Sequence, residues 1–291
     1  MTRKSNFIAA AAICLVLLSG CKGADIKTRT YDFQNTGERS DFSFLLELPV
    51  STKGAAGEIR SQLIDIMDRQ LSSIGLYDGG RMFPKYDGDM SNTEALVEYY
   101  SKNGSDAIET HAMDFYNEVK QYMEDADEEE NMDYIPRCEY DFTLAKVYES
   151  FNYIVFLSED FNYMGGAHGG VTGMGDITFD KRNGKIFDNF LKADALEQMQ
   201  GLIEKGLAEY FEEPDGGDAA ASVREHLFLD EGDTTIPFPA WTPSPDKYGL
   251  NFTYQQYEIA AYAMGMPSFT IPYDEVKPFL TPEAIELLNL K

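Results

Sequence analysis

The strongest constraint on the fold is the order in which two hydrophobic patterns occur along the chain. Apolar and polar residues alternate from Phe42 to Leu48, which is typical of a half-buried strand. Helical stripes follow, and the clearest consists of Ile108, Ala112, Phe115, Val119 and Tyr122. Alternation returns after Arg137 in hairpin-like pairs, with one further helical stripe after Asp194. Because helices and strands form separate blocks without a regular strand–helix–strand rhythm, we predict an α+β fold with helices packed on antiparallel sheets.

Short sequence motifs predict where individual helices and turns begin and end. Ser91 and Glu94 have capping-box spacing and predict the start of a short helix, which Gly104 interrupts. Asn183-Gly184 is the strongest two-residue hairpin signal in the chain, so a strand is expected on each side of it. We therefore expect a helix over Ile59–Ile74, two further helices separated near Gly104, and one tight hairpin at Asn183-Gly184.

The N-terminal residues have the features of a secretion signal. Arg3 and Lys4 precede an apolar run from Phe7 to Leu18, which is too short to span a membrane as a helix. The run ends in Leu18-Ser19-Gly20-Cys21, and this sequence resembles the lipobox of bacterial lipoproteins. The alternative is an ordinary signal peptide with an incidental cysteine.

The lipobox resemblance implies a division of the N-terminal region. Residues 1–20 are expected to be a removable signal peptide, Cys21 to carry lipid, and residues 21–40 to form a tether that leads into a first strand. Cys14 would leave with the signal, so Cys138 would be the only free thiol. A lone cysteine at the start of a strand-like stretch is expected to be a packed residue.

Charge limits the possible partners. The chain has 24 basic and 50 acidic residues and a formal charge of −26, which excludes a general nucleic-acid binder. Signal removal lowers the 24 basic residues to 22 and the formal charge to −28. Seven acidic residues fall within 124–133, which is expected to be a solvated helix end, with a cation or basic-partner site as the alternative.

Motifs for catalysis and metal binding are sparse. The sequence has no HExxH, GxSxG, phosphate-loop or paired CxxC pattern, and no cofactor is expected. One near-match to a calcium loop places Asp87, Asp89 and Ser91 at its first ligand positions and Glu98 at its twelfth. Asn92 occupies the place where that loop prefers glycine, so no metal site is predicted there.

The most unusual segment runs from Tyr163 to Gly170 and surrounds His168 with Gly165, Gly166 and further small residues. Such a composition predicts positive φ angles or a close approach of the backbone to another group. One interpretation makes His168 a ligand or proton carrier. The other, which we favour, makes it a structural histidine that bonds a backbone carbonyl.

Three stretches carry a resemblance to a known family. Tyr163–Gly169 is similar to a Y-x-GGAHG element, Tyr257–Gly265 to YEIAPYAxG, and Phe269–Tyr273 to F-x-I-P-Y. These elements occur in an extracytoplasmic family of unknown function. It is found in the ectodomain of the lysozyme-sensing anti-sigma factor RsiV and beside the catalytic domain of the peptidoglycan deacetylase PdaC. Ala261 replaces the usual proline of the second element.

The resemblance implies a two-part α+β ectodomain, divided here into residues 41–165 and 166–291. It also implies binding of lysozyme, as in RsiV, and no catalytic residues. The residues expected to bind a ligand are Tyr163, Gly165, Gly166, His168, Tyr257, Glu258 and Tyr262.

The leading functional hypothesis is a non-enzymatic cell-envelope binding protein. It would be held outside the cytoplasm by lipid on Cys21, on the periplasmic face or cell surface, and would recognise lysozyme-like proteins or peptidoglycan. A second hypothesis is a peptidoglycan hydrolase or deacetylase that uses His168 with Asp176 or Asp180. A third is a structural module stabilised by calcium.

Overall fold

The structure, a computed structural model, describes residues 25–74, 80–125, 135–166, 169–211, 223–229, 232 and 235–291. The predicted signal peptide, Cys21, most of the acidic segment and His168 lie outside the described residues. The strands are β1 (Thr28–Thr36), β2 (Ser40–Pro49), β3 (Cys138–Glu149), β4 (Tyr153–Tyr163), β5 (Val171–Asp180), β6 (Ser244–Pro245), β7 (Gly249–Thr253) and β8 (Ser268–Pro272). The α-helices are α1 (Gly54–Ser72), α2 (Thr93–Asp125), α3 (Ala195–Gln198), α4 (Gln200–Tyr210), α5 (Tyr273–Val276) and α6 (Pro282–Leu288).

The strands form two sheets, and the predicted α+β class is confirmed. The larger sheet has the order β1-β2-β3-β4-β5, and the smaller has the order β6-β7-β8. Neighbouring strands are antiparallel except for β2 and β3, which are parallel. Parallel neighbours need a long crossover connection, and α1 and α2 provide it between these two strands.

Two apolar cores lie against the larger sheet. In the first, α1 and α2 pack on the alternating apolar residues of β2 and β3 and on Ile154 and Phe156 of β4. In the second, Tyr153 and Val155 of β4 pack with residues of α4, β7 and β8. Because side chains alternate across a strand, β4 supplies one row to each core. Both faces of this strand are therefore buried where it crosses the two cores.

Helix α2 is one continuous helix, so the prediction that Gly104 interrupts it is wrong. A Cβ atom on Gly104 would lie 2.4 Å from the ring of Phe42 in β2. The glycine therefore allows the helix to approach the sheet closely. A packing requirement explains this residue, and it outweighs the modest helix propensity of glycine.

The start of α2 also differs from the prediction. Asn92 caps the helix, because its Oδ1 accepts a hydrogen bond from the backbone N–H of Ala95 at 3.1 Å. Ser91 instead bonds through its N–H and hydroxyl to the carboxylate of Asp89, and Glu94 pairs with Arg29 of β1 at 2.7 Å. The predicted capping box of Ser91 and Glu94 is therefore wrong.

The segment expected to be tether and first strand is largely strand where it is described. Strand β1 pairs with β2 over its whole length, from Thr28 opposite Pro49 to Thr36 opposite Asp41. It forms one edge of the larger sheet. A tether can therefore include only residues before β1.

The turn at Asn183-Gly184 is present, but it does not join two strands. After β5, the chain returns with a single bridge between Phe179 and Ile186. Gly184 has a φ angle of 77°, and a Cβ atom there would lie 2.4 Å from the carbonyl oxygen of Ala55 in α1. The contact with the helix directs the chain away from the sheet after one bridge.

The predicted division between residues 165 and 166 falls in the connection between β4 and β5. These strands are hydrogen-bonded neighbours, with Tyr153 opposite Asp180 and Asn162 opposite Val171. The larger sheet therefore includes residues from both sides of that division, and the division itself stays a prediction.

Candidate functional site

A loop after β7 lies along the free edge of β5. We call residues 255–262 the display loop. The backbone N–H of Thr172 donates to Oε1 of Gln256 at 2.8 Å, and that of Met174 donates to Oε1 of Gln255 at 2.9 Å. Nε2 of Gln255 donates in turn to the carbonyl oxygen of Met174 at 2.6 Å. Two side-chain amides thus take the place of a neighbouring strand and fix the loop on the sheet.

Glu258 holds the display loop in shape. Its carboxylate accepts hydrogen bonds from the backbone N–H of Gln255 at 2.6 Å and of Ala240 at 2.5 Å. A carboxylate that accepts two backbone N–H groups forms strong charge-assisted bonds. Glu258, predicted to bind a ligand, therefore positions the loop and joins it to the segment that leads into Trp241.

These hydrogen bonds hold Tyr257 at the surface. Its φ angle is 64°, one of two positive values for non-glycine residues in the described part of the chain. The side chain is 55% exposed, and its ring lies 5.5 Å from that of Tyr262. A bulky residue in the left-handed region is strained and persists only where its surroundings enforce it. Such strain is typical of functional sites.

Tyr262 connects the display loop to the glycine-rich segment. Its hydroxyl donates to the carbonyl oxygen of Gly170 at 2.7 Å, and a Cβ atom on Gly169 would lie 3.0 Å from that hydroxyl. These residues follow the undescribed pair 167–168 directly. The loop therefore packs against one end of the segment that the sequence singled out.

The other end of that segment is a turn held by α2. Gly165 has a φ angle of 92°, and a Cβ atom there would lie 2.5 Å from the ring of Phe115. Gly166 has a φ angle of 107°, and its carbonyl oxygen accepts from the Tyr163 hydroxyl at 2.9 Å. The prediction of positive φ angles at these glycines is therefore confirmed.

Two further side chains near the glycine turn and β3 are structural, and the predicted packing of Cys138 is confirmed. Nε2 of His111 lies 3.1 Å from the carbonyl oxygen of Met164, next to the glycine turn. Cys138 is fully buried at the start of β3, and burial, with the nearby carboxylate of Glu109, raises the pKa of its thiol to about 11. Such a thiol stays protonated at neutral pH and is a poor nucleophile.

The site residues therefore have different roles. Tyr163, Gly165 and Gly166 shape the turn, Glu258 and Tyr262 fix the display loop, and Tyr257 presents an exposed aromatic side chain. The sequence did not predict Gln255 and Gln256, which attach the loop to β5. Their only signal is their position just before the second family-like element.

The carboxylates of the enzymatic hypothesis are engaged in other contacts. Asp180 accepts hydrogen bonds from the backbone and guanidinium of Arg182 and anchors the turn after β5. Asp176 accepts from the hydroxyl of Ser244 at 2.5 Å. Burial raises the pKa of Asp176, and the charge of Asp246 adds to this, whereas the Ser244 bond opposes it.

No group of three or more metal-ligating side chains occurs among the described residues. In the near-match to a calcium loop, Asp89 bonds Ser91, and Glu98 lies within α2. The calcium hypothesis therefore receives no structural support. Across the described ranges, the helices also include none that is long and apolar enough to span a membrane.

Asp160 on β4 predicts a pH dependence of stability. Burial, with repulsion from Glu159, raises the pKa of its carboxyl to about 6. The ionised form is therefore penalised only in the folded state, and stability falls as pH rises from about 4, the unfolded value, to about 6. We expect Asp160→Asn to stabilise the fold by about 2 kcal/mol at pH 7 and to have little effect at pH 4. Urea unfolding at both pH values measures this, and an equal effect at both would contradict it.

Comparisons with known proteins agree with this fold. Residues 186–274 match the model of a family described as protein of unknown function (DUF3298). This range contains the display loop and begins after the glycine turn. A comparison with curated proteins gave no significant match.

Two crystal structures are similar to the chain over most of its length. One is a DUF3298 family member from Bacteroides fragilis, with a TM-score of 0.58 and 18% identity over 91% of this chain and 97% of that chain. The other is a DUF3298 family protein from Pseudomonas aeruginosa, with a TM-score of 0.52 and 13% identity over 90% of this chain and 97% of that chain. At these identities the likeness establishes a shared fold alone.

Proposed function

We propose that this chain is a non-enzymatic, lipid-anchored cell-envelope binding protein whose display loop contacts a basic, lysozyme-like protein. The observation that carries the proposal is Tyr257, a strained and exposed tyrosine on a loop that hydrogen bonds hold from three sides. A rigid aromatic side chain of this kind loses little entropy on binding, and tyrosine is enriched among the residues that dominate interface energies.

The charge of the chain supports a basic partner. The mature form would carry a formal charge of −28, and a surface of one sign attracts proteins of the opposite sign and accelerates their encounter. The family resemblance points to the same class of partner, because RsiV binds lysozyme. Long-range attraction and a local aromatic contact would then act together.

A comparison of two forms of one partner tests this proposal. The two forms are a basic lysozyme and the same enzyme with succinylated lysines. They share one fold but have net charges of opposite sign. We expect saturable binding of the mature chain to the basic form, measured by interferometry, and none to the succinylated form at the same concentration. Equal binding of both forms, or binding of neither, would contradict the proposal.

Membrane attachment is tested separately at Cys21. Lipid on this residue would place the protein in the membrane fraction, since a chain with several acyl groups binds a bilayer stably. We expect Cys21→Ala to move the protein from the detergent-soluble membrane fraction to the soluble extracytoplasmic fraction. Cys138→Ala, which removes the buried thiol, is the matched control and should leave the location unchanged. Membrane retention of a Cys21→Ala chain from which residues 1–20 have been removed would refute the anchor.

A further inference from the structure

A second site lies at the edge of the larger sheet. A cavity of about 340 Å³ opens where β5 meets α1 and the segments 186–188 and 241–243. This volume lies in the range of small-ligand sites, about 300–1,000 Å³. Its walls include Arg69 and Gln70 of α1 and the only tryptophan of the chain, Trp241.

Trp241 forms an apolar wall of this cavity. A Cβ atom on Gly175 of β5 would lie 2.0 Å from the indole, so the ring packs directly against the strand backbone. The side chain is nevertheless 38% exposed. Ile66 and Ile186 also line the cavity. The indole is therefore fixed on one side by the strand and available to a ligand on the other.

Polar groups of both kinds converge on the same space. The guanidinium of Arg69 makes no hydrogen bond or ion pair within the described ranges and can donate to a ligand. Asp188, which also lines the cavity, supplies a carboxylate that can accept, whereas the carboxylate of Asp176 bonds Ser244 on the other face of β5. A donor from α1 and an acceptor from the segment after β5 thus line the same cavity.

We propose that this cavity binds a saccharide. A pyranose ring has an apolar C–H face, which suits an exposed indole, and hydroxyl groups that both donate and accept hydrogen bonds. An anionic ligand would meet Asp188, and a cationic one would meet Arg69. A neutral ring with many hydroxyls satisfies all of these groups. Binding here adds to the contact of Tyr257 with a protein and does not require it.

The single tryptophan makes the site directly measurable. Selective excitation of tryptophan reports on Trp241 alone, and the probe is an oligomer of N-acetylglucosamine added to the mature chain. We expect a saturable change in the emission, and the same affinity by calorimetry. The same titration with a malto-oligosaccharide shows which of the two saccharides the site prefers. No saturable change with either saccharide would overturn the proposal.

Variants separate this site from other surfaces. Arg69→Ala, which removes an exposed side chain, should weaken saccharide binding at least about tenfold by calorimetry, the effect expected for the loss of a hydrogen bond to a charged group. Trp241→Ala should abolish it, whereas Phe228→Ala, which removes another exposed aromatic ring, should have no effect. Unchanged affinity in Arg69→Ala and Trp241→Ala would overturn the proposal. Lysozyme binding that persists in Trp241→Ala would show that the two sites are independent.

Discussion

Replacement of Tyr257 by glycine is expected to weaken binding of a basic lysozyme about 30-fold without loss of stability. The ring is the exposed anchor of the display loop, and removal of such an anchor typically costs about 2 kcal/mol or more of binding free energy. Glycine relieves the strain of the left-handed backbone, which raises the free energy of unfolding by about 1–2 kcal/mol. This gain offsets the lost ring contact with Tyr262, which contributes about 0.5–1.5 kcal/mol. Affinity and stability are thus expected to respond differently to one substitution.

Tyr257→Phe is the matched control for this experiment. It keeps the ring and its strained backbone, so affinity should change little unless the hydroxyl itself contacts the partner. Interferometry gives the affinities, and thermal unfolding gives the stabilities. If Tyr257→Gly lowers stability and affinity together, the ring is a structural element and the display loop is not a binding site.

The second large effect is expected at Asp68 in α1. The buried carboxylate accepts hydrogen bonds from the guanidinium of Arg81 at 2.5 and 3.0 Å and from the hydroxyl of Tyr100 at 2.6 Å. This network joins α1 to α2 and to the segment between them. Asp68→Ala leaves the half-exposed guanidinium of Arg81 and the buried hydroxyl of Tyr100 without this acceptor, and we expect a loss of about 2–3 kcal/mol in the free energy of unfolding.

The pH dependence of this loss has a defined direction. Burial acts to raise the pKa of Asp68, but the bonds from Arg81 and Tyr100 outweigh it, and the pKa lies below its usual value. A lowered pKa contributes stability that is present above the unfolded value, about 3.9, and is lost as pH falls through the folded value. The difference between wild type and Asp68→Ala should therefore shrink below about pH 4.

Asp65→Ala is the control in the same helix. Asp65 pairs with Lys85 at 2.5 Å, but both side chains are substantially exposed, and such pairs contribute at most about 1 kcal/mol. Urea unfolding of the two variants measures the contrast. Equal losses in both would show that the Asp68 network does not hold the helices together.

Local patterns predicted most elements of the fold but not how they meet. The alternation from Phe42 to Leu48 and the helical stripe of α2 correspond to β2 and to the helix that packs on it. From the sequence alone Gly104 indicates a helix break, because its packing partner Phe42 is distant in sequence. The parallel pairing of β2 with β3 follows from the crossover by two helices, which no short segment encodes.

In the candidate sites, too, the sequence predicts local conformation but not contacts between distant residues. Clustered glycines correctly predicted positive φ angles at Gly165 and Gly166, because glycine has no Cβ atom. The positive φ of Tyr257 had no such signal, since the bonds of Glu258 enforce it. Likewise, Trp241 lies in a loop-like segment, and only the folded chain places its indole on Gly175.

The most direct test of the central claim is the affinity of the mature chain for basic lysozyme at low and high salt. We expect saturable binding with a micromolar or lower dissociation constant at low salt. We also expect affinity to fall at least about tenfold at high salt, because salt screens attraction between exposed charges. Absence of binding at micromolar concentrations in low salt would contradict the proposed function.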